Sequence, residues 1–260
     1  MQPTIEQLRF FLKDTIRRTI DFSRTDQHRG VPPPPVEKPF LPEAERFELP
    51  PPERWPHVRR IDLVEAIARR RSHRSFAPLA LKLDELAFLL WATQGVRRLL
   101  APGAVLRTVP SAGCRHALET YVLALRVEGL DAGVYRYLPL EHQLLLERRE
   151  TRLPELLVPA TLGQRFVGEA GAVLVWTAIP YRMEWRYGLA AHKVIALDAG
   201  HVCQNLYLAC EAIGAGTCAI GAYHQEAVDE LIRVDGEDEF TIYLAPVGKI
   251  SDAAVSDAAV

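Results

Sequence analysis

The chain has 260 residues, of which 48% are hydrophobic and 25% are charged, which is enough for one sizeable core in an ordinary globular protein. The net charge of −2 gives no general electrostatic reason to expect nucleic acid or a membrane surface as a partner. No apolar run reaches the roughly 18 residues that a membrane-spanning helix needs, and the N-terminus lacks the pattern of a secretory signal.

The first 55 residues are predicted to form a helix followed by an extended arm. Residues 4–21 place apolar side chains near one helical face. Proline is then concentrated at 32–35 and 50–52, where its ring fixes φ and removes amide donors. Because Phe40 and Phe47 lie among the prolines, the arm is predicted to dock on the body or on a partner subunit, with a flexible linker as the alternative.

Residues 56–250 mix helix and strand patterns without a strict β-α-β rhythm. Helical spacing of apolar residues predicts helices at 62–68, 82–95 and 193–213. Strands are predicted at 121–127, 134–137, 143–146, 171–178 and 241–248. The first helix has an apolar side at Leu63, Val64 and Ile67, and Asp84 is the predicted N-cap of the second. We therefore expect an α+β fold, with helices packed on a mainly antiparallel sheet.

The four cysteines form no C-x-x-C pair, which is typical of reduced thiols and predicts a cytoplasmic protein.

Two kinds of site, a metal site and a dinucleotide site, are not expected from the sequence. His192 and His201 are nine residues apart and no H-E-x-x-H occurs, so no metal site is predicted. No G-x-G-x-x-G follows a strand, which argues against a Rossmann dinucleotide site. Residues 251–260 duplicate a five-residue unit and are predicted to be a tail.

A basic segment after the first of these helices carries Arg70, Ser72 and Arg74. Alternate residues of an extended segment point the same way, so these three side chains can converge on one ligand. Guanidinium and hydroxyl groups suit a phosphate. A solvated basic turn is the alternative, because Arg69 to Arg71 is a run of three arginines.

Further segments follow in the chain. They are Pro110-Ser111-Ala112-Gly113-Cys114-Arg115-His116, then Asp198-Ala199-Gly200-His201, then Gly214 to Tyr223. Together and in this order, the segments resemble the flavin-binding core of the nitroreductase superfamily, and within it the SagB-type branch of FMN-dependent azoline dehydrogenases and their relatives. The resemblance covers roughly residues 55–250. It implies a nitroreductase-like α+β fold and an FMN-binding homodimer whose site uses residues from both chains.

The resemblance also implies site residues, carried over by position in this sequence. The residues implied to bind FMN are Arg70, Ser72, Arg74, Pro110, Ser111, Gly221, Ala222 and Lys249. Arg70, Ser72 and Lys249 would bind the phosphate, and Arg74 would stabilise the anionic reduced ring. The backbone of Gly221 and Ala222 would meet flavin N5. A plain turn at Pro110 and a surface lysine at 249 are the alternatives.

Arg186 and Tyr187 are the implied catalytic pair. Azoline-oxidising members of the branch carry a Lys-Tyr pair here, implicated in removing the ring proton. Arginine stays protonated at any working pH, so Arg186 cannot take a proton, although it can hold an oxyanion or a carboxylate. Tyr187 would hold the substrate or its proton.

The implied function is an FMN-dependent oxidoreductase that moves hydride through flavin N5 by a ping-pong mechanism, from NAD(P)H to a small organic, nitro or quinone acceptor. Two alternatives are an azoline (thiazoline or oxazoline) peptide dehydrogenase and a flavin-binding partner subunit of a peptide-modifying complex. The expected organisation is a helix and arm at 1–55, an FMN-binding domain at 56–250 and a tail at 251–260.

Overall fold

The computed structural model describes residues 2–251, so the predicted tail beyond Ser251 lies outside the described residues. The helices are Ile5–Leu12 (α1), Leu63–Arg69 (α2), Leu83–Gln94 (α3), Leu153–Ala160 (α4), Arg165–Gly168 (α5), Tyr181–Tyr187 (α6), Ala191–Ala212 (α7) and Gln225–Ile232 (α8). The strands are Arg46–Glu48 (β1), Val96–Ala101 (β2), Ala104–Arg107 (β3), Leu118–Ala124 (β4), Gly133–Leu138 (β5), Gln143–Arg149 (β6), Ala172–Ala178 (β7), Ala215–Thr217 (β8) and Phe240–Lys249 (β9).

Seven strands form one sheet in the order β1-β6-β5-β4-β7-β9-β8, and every neighbouring pair of these strands is antiparallel. Strands β2 and β3 form a separate hairpin. The predicted α+β fold with a mainly antiparallel sheet is confirmed. Among residues 2–251, no helix combines the length and the apolar composition needed to cross a bilayer.

Strand β7 shows why the run at 171–178 is apolar throughout. Its side chains point alternately to the two faces of the sheet. Leu174 and Trp176 join the core formed with α3 and α7, whereas Val173 and Val175 join the core formed with α4, α5 and α8. A strand between two helical layers has no solvent-facing side, so both sets of residues must be apolar.

The predicted helix over residues 4–21 is wrong in its length. Helix α1 begins after a capping box at Thr4 and ends at Leu12, because Lys13 adopts an extended conformation with φ −85° and ψ 147°. A 3₁₀ turn, Asp14–Thr19, follows. None of the residues of α1 is buried, so the helix lies on the surface of this chain.

Helix α2 is confirmed, but its apolar side does not face the core of this chain. Asp62 caps the helix by accepting a hydrogen bond from the backbone N–H of Val64 at 2.9 Å. Leu63, Val64 and Ile67 are 62%, 75% and 55% exposed. The amphipathic spacing therefore predicted the helix correctly. The core of this chain does not cover the apolar side of the helix.

The predicted N-cap of α3 at Asp84 is wrong. The helix begins after Lys82, whose backbone N–H donates to Glu85 Oε2 at 3.0 Å. Asp84 is already inside the helix, where it is buried and accepts from the backbone N–H of His57 at 3.1 Å. The carboxylate of Asp84 therefore makes a tertiary contact with His57 and does not cap the helix.

Main-chain pairing and buried polar groups attach the proline-rich arm to the body. Strand β1, inside the arm, pairs with β6. Arg107 donates to the carbonyl oxygen of Val36 at 2.7 Å, and Arg136 donates to that of Lys38 at 2.7 Å. The backbone N–H of Lys38 donates to Glu119 Oε1 at 2.9 Å. Proline removes donors from this segment but leaves its carbonyl oxygens, which the buried arginines bind.

Glu37 makes this attachment sensitive to pH. Its buried carboxylate accepts from the backbone N–H of Leu140 at 3.1 Å. Burial, together with the nearby carboxylates of Glu141 and Glu119, raises the pKa of Glu37 from 4.5 to about 7. A group whose pKa is raised on folding stabilises the fold fully below its unfolded pKa, and this stabilisation is lost as pH rises through the folded value.

We therefore expect the thermal midpoint of the wild type to fall between about pH 5 and about pH 8, and to fall less in Glu37→Gln. Differential scanning calorimetry at several pH values measures this slope. Glu43→Gln, an exposed change in the same arm, should keep the wild-type slope. Equal slopes in Glu37→Gln and the wild type would contradict the assignment to Glu37.

Candidate functional site

The extended segment after α2 adds to the edge of the sheet beside β8. Ser72 forms a parallel bridge with Thr217, and the backbone N–H of His73 donates to the carbonyl oxygen of Thr217 at 2.9 Å. The guanidinium of Arg70 lies 5.3 Å from the centroid of the Tyr207 ring, and Ser72 Oγ lies 2.9 Å from the hydroxyl of the same tyrosine. Arg70 and Ser72 therefore meet at one residue of α7.

Ser72 and Arg74 line a pocket of about 520 Å³ that residues 71–78 and Ser251 enclose. The neighbouring Arg69 pairs with Glu65, whereas Arg74 has no carboxylate partner within residues 2–251. A guanidinium without a partner, beside a hydroxyl, is suited to bind a phosphate dianion by charge-assisted hydrogen bonds.

The side chain of Lys249 does not reach this pocket. Its ammonium lies 2.6 Å from Glu85 Oε1 and 2.5 Å from the carbonyl oxygen of Ile213. Its own carbonyl oxygen accepts from the backbone N–H of Ala77 at 2.7 Å, so the main chain passes beside the pocket while the side chain turns to α3 and α7. Lys249 would have to leave the buried Glu85 to reach a ligand at Arg74.

The loop that follows β8 carries Gly221 and Ala222, and both are exposed. The hydroxyl of Tyr207 accepts from the backbone N–H of Ala219 at 2.9 Å, which ties this loop to the segment of Ser72. A Cβ atom at Gly221 would meet nothing within 4 Å, so its backbone is open to a ligand. Tyr207 thus connects two segments that the sequence assigned to one ligand.

Gly221 also borders an apolar cavity of about 480 Å³ between the first half of α7 and the start of β9. The large side chains that line this cavity are Phe11, Pro180, Ile195, Phe240, Ile242 and Tyr243, with His192 beside them. Apolar walls with few polar groups are typical of sites for small organic ligands.

The loop with Pro110 and Ser111 is held against the opposite side of α7. Ser111 Oγ accepts from the backbone N–H of His116 at 2.9 Å, and the backbone N–H of Ala112 donates to Asp198 Oδ2 at 3.3 Å. Burial raises the pKa of Asp198, although hydrogen bonds from Ser111 and Ala112 act in the other direction. Pro110 is exposed.

Arg186 and Tyr187 pack on this same loop. A Cβ atom at Gly113 would lie 2.5 Å from Tyr187 Oη and 3.0 Å from Arg186 Nε, and the backbone of Gly113 has φ +59°. Glycine is required here both by the left-handed conformation and by the close approach. The guanidinium of Arg186 lies 5.6 Å from the centroid of the Tyr187 ring.

The predicted residues therefore form two groups on α7. We call Arg70, Ser72, Arg74, Gly221 and Ala222 the Tyr207 half-site, because Arg70, Ser72 and the nearby Ala219 contact Tyr207. We call Pro110, Ser111, Arg186 and Tyr187 the Asp198 half-site, because Ala112 of the same loop binds Asp198. Tyr207 and Asp198 are nine residues apart, which is about 13.5 Å along a helix and about half a turn around it. One chain does not bring the two half-sites together.

Tyr207 and Asp198 are the site residues that sequence reasoning missed. Asp198 opens the Asp-Ala-Gly-His segment that carries part of the resemblance, so its position was a usable signal. The sequence contains no comparable signal for Tyr207, because an aromatic residue on a buried helix is usually only part of the core. Its hydroxyl contacts are visible only once Ser72 and Ala219 are placed on either side of it.

Comparisons with known proteins show which family this chain resembles. The family model described as the nitroreductase family matches residues 67–249. A Methanocaldococcus jannaschii protein named as a nitroreductase is 34% identical over 75% of this chain and 94% of its own length. A crystal structure named as a nitroreductase from Ralstonia eutropha has a TM-score of 0.65 and 29% identity, over 85% of this chain and 98% of that chain.

A third relative supports the narrower resemblance to the SagB-type branch. It is the trifolitoxin-processing protein of Rhizobium leguminosarum, 29% identical over 61% of this chain. This chain spans only 44% of that protein. The family model includes the residues of both half-sites and most of the sheet. The chain belongs to the nitroreductase family.

Proposed function

We propose that this protein is an FMN-dependent oxidoreductase in which NAD(P)H reduces the flavin and a small organic acceptor then reoxidises it by a ping-pong mechanism. Family membership supports an oxidoreductase. The residues present fit FMN, because Ser72 offers a hydroxyl and Arg74 a cation that has no carboxylate partner among residues 2–251, both at one end of the Tyr207 half-site. At the other end, Gly221 leaves its backbone open beside an apolar cavity.

When bound, FMN supplies two-electron hydride chemistry at N5. Arg70, Ser72 and Arg74 would hold its phosphate, and the backbone N–H groups of Gly221 and Ala222 would lie at the ring. The walls of the cavity beside Gly221 are mostly apolar, and a hydrogen bond made in a less polar environment is stronger than the same bond in water.

A homodimer is part of this proposal, and the separation of the half-sites is the observation that carries it. A second copy can place its Asp198 half-site against the Tyr207 half-site of the first, which one chain cannot do for itself. The apolar side of α2 and Leu197 of α7, which is 52% exposed, offer surface for such a contact. Clustered exposed apolar side chains, such as those of α2, are typical of interaction surfaces.

One experiment tests the flavin and the dimer together. The protein is incubated with FMN, separated by size, and followed by light scattering and visible absorbance, and NADPH is then added anaerobically. We expect flavin absorbance in a peak of twice the chain mass, and bleaching by NADPH. No bound flavin would refute the cofactor assignment, and a flavin-bound monomer would refute the shared site.

The trifolitoxin-processing relative favours a second candidate, a flavin-dependent role in modifying peptides. In this case the substrate is a five-membered heterocycle of a modified peptide, or the protein is a partner subunit with little turnover of its own. Arg186 weighs against azoline oxidation, because a guanidinium does not accept a proton at working pH. Rapid reduction of quinones by the isolated protein would contradict the partner role.

A further inference from the structure

The apolar cavity beside Gly221 has two titratable side chains among the described residues that line it, His192 and Tyr243. Burial raises the pKa of Tyr243 to about 12, so this phenol keeps its proton. His192 carries the imidazole among these lining residues, and imidazole is the side chain that enzymes use most often for proton transfer. The other side chains that line the cavity are apolar, so a ligand there meets few other proton donors.

A carboxylate orients His192. Its Nε2 lies 2.9 Å from Glu184 Oε1 on α6, and the two side chains are 48% and 37% exposed. A carboxylate on one ring nitrogen fixes the tautomer and stabilises the imidazolium, as it does in catalytic His–carboxylate pairs. With Nε2 engaged by Glu184, Nδ1 is the nitrogen left to serve a ligand.

The other charged groups around His192 are accounted for. Asp14 and Arg17 line a second cavity with His192 and Lys193. Arg17 Nε lies 2.8 Å from Asp14 Oδ1, so these two residues neutralise each other. Lys193 follows His192 on α7, and Glu184 is the carboxylate that contacts the ring.

We propose that His192 donates the proton that completes reduction of a quinone or similar carbonyl acceptor bound in this cavity. The inference rests on the proposed flavin function. Helix geometry supports this role of His192. His192, Ala196 and Gly200 follow one another at intervals of four residues on α7, so they lie on one side of the helix, the side of Tyr207. All three residues line the cavity. Tyr187 and Arg186 lie on the Asp198 side, so they do not reach this cavity within one chain.

The step balances in atoms and electrons. Reduction of a quinone to a hydroquinone takes one hydride and one proton, and reduced flavin supplies the hydride. The N–H bond at Nδ1 of the His192 imidazolium breaks, an O–H bond forms on the acceptor, and the electron pair of the broken bond stays on nitrogen. The neutral ring then takes a proton from water through its exposed edge.

Stopped-flow measurement of the two half-reactions tests the inference, with menadione as the acceptor. His192→Gln keeps an amide that can bond Glu184 but cannot release a proton. We expect NADPH to reduce the bound flavin at the wild-type rate, and menadione to reoxidise it about 100-fold more slowly and without the wild-type pH dependence. The matched control is His57→Gln, which changes an exposed, carboxylate-paired histidine that does not line the cavity.

A binding measurement gives a second readout that needs no turnover. Phenol, a mimic of the product, is added to the oxidised protein while the NMR signal of His192 is followed, assigned by its absence in His192→Gln. We expect phenol to shift this signal in the wild type and in His57→Gln.

The possible outcomes separate this inference from the proposed function. Absence of flavin, or of bleaching by NADPH, would refute the proposed function and the role of His192 with it. Normal bleaching with unchanged reoxidation in His192→Gln would overturn the role of His192 alone. Slow reoxidation in Tyr187→Phe with a normal rate in His192→Gln would assign the proton to Tyr187 instead.

Discussion

Replacing Arg70 and Arg74 together with methionine will weaken FMN binding by about 100-fold or more. A hydrogen bond to a charged group contributes about 1.5–3 kcal/mol, and the double change removes two guanidinium donors. Methionine keeps an unbranched apolar side chain, so the packing of Arg70 on Tyr207 is partly preserved. Quenching of FMN fluorescence on binding measures the dissociation constant.

Riboflavin and a neighbouring arginine provide the controls. The wild type should bind riboflavin, which lacks the phosphate, much more weakly than FMN, whereas the double variant should hardly distinguish them. Arg69→Met makes the same change at an exposed residue that pairs with Glu65 at 2.8 Å, and should leave FMN binding unchanged. If the double variant keeps wild-type affinity, the phosphate is bound elsewhere and Lys249 becomes the next residue to test.

Glu119→Gln will lower the free energy of unfolding by about 3–5 kcal/mol. The carboxylate of Glu119 is 2% exposed and lies 2.5 Å from Arg182 and 3.9 Å from Arg136. Burial acts to raise the pKa of Glu119, but the guanidinium groups of Arg182, Arg136 and Arg107 hold it below its usual value. Removing this charge leaves the guanidinium of Arg182 buried without a carboxylate partner among residues 2–251, whereas Arg136 keeps Glu147 at 2.9 Å. It also weakens the contact with Lys38 of the arm.

Urea unfolding at a fixed protein concentration measures the loss. Glu65→Gln removes a carboxylate from the exposed pair with Arg69 and should cost less than about 1 kcal/mol, because surface ion pairs are screened by water. A cost for Glu119→Gln as small as that for Glu65→Gln would mean that water or a rearranged side chain compensates the buried charges.

Several elements could be predicted because their cause is local. A run such as 171–178 is apolar at every position only where both faces of a strand are covered, and the structure has it as β7 with helices on both sides. The long helix α7 and the strands β5 and β6 followed from spacing in the same way. Elements without such a pattern were missed, among them the short strand β1 inside the arm and the hairpin of β2 and β3.

The sequence by itself determined the family, the α+β fold and the motif residues, because these depend on patterns within short segments. Only the tertiary structure decided how the motifs are grouped. Arg70 and Ser72 meet at Tyr207, whereas Ser111 and Tyr187 belong to the loop held by Asp198. The tertiary structure also decided that Lys249 binds Glu85 and that His192 lies beside Glu184. Each of these depends on contacts between residues distant in the chain, where burial and competition for hydrogen-bond partners, not local preference, set the position of a side chain.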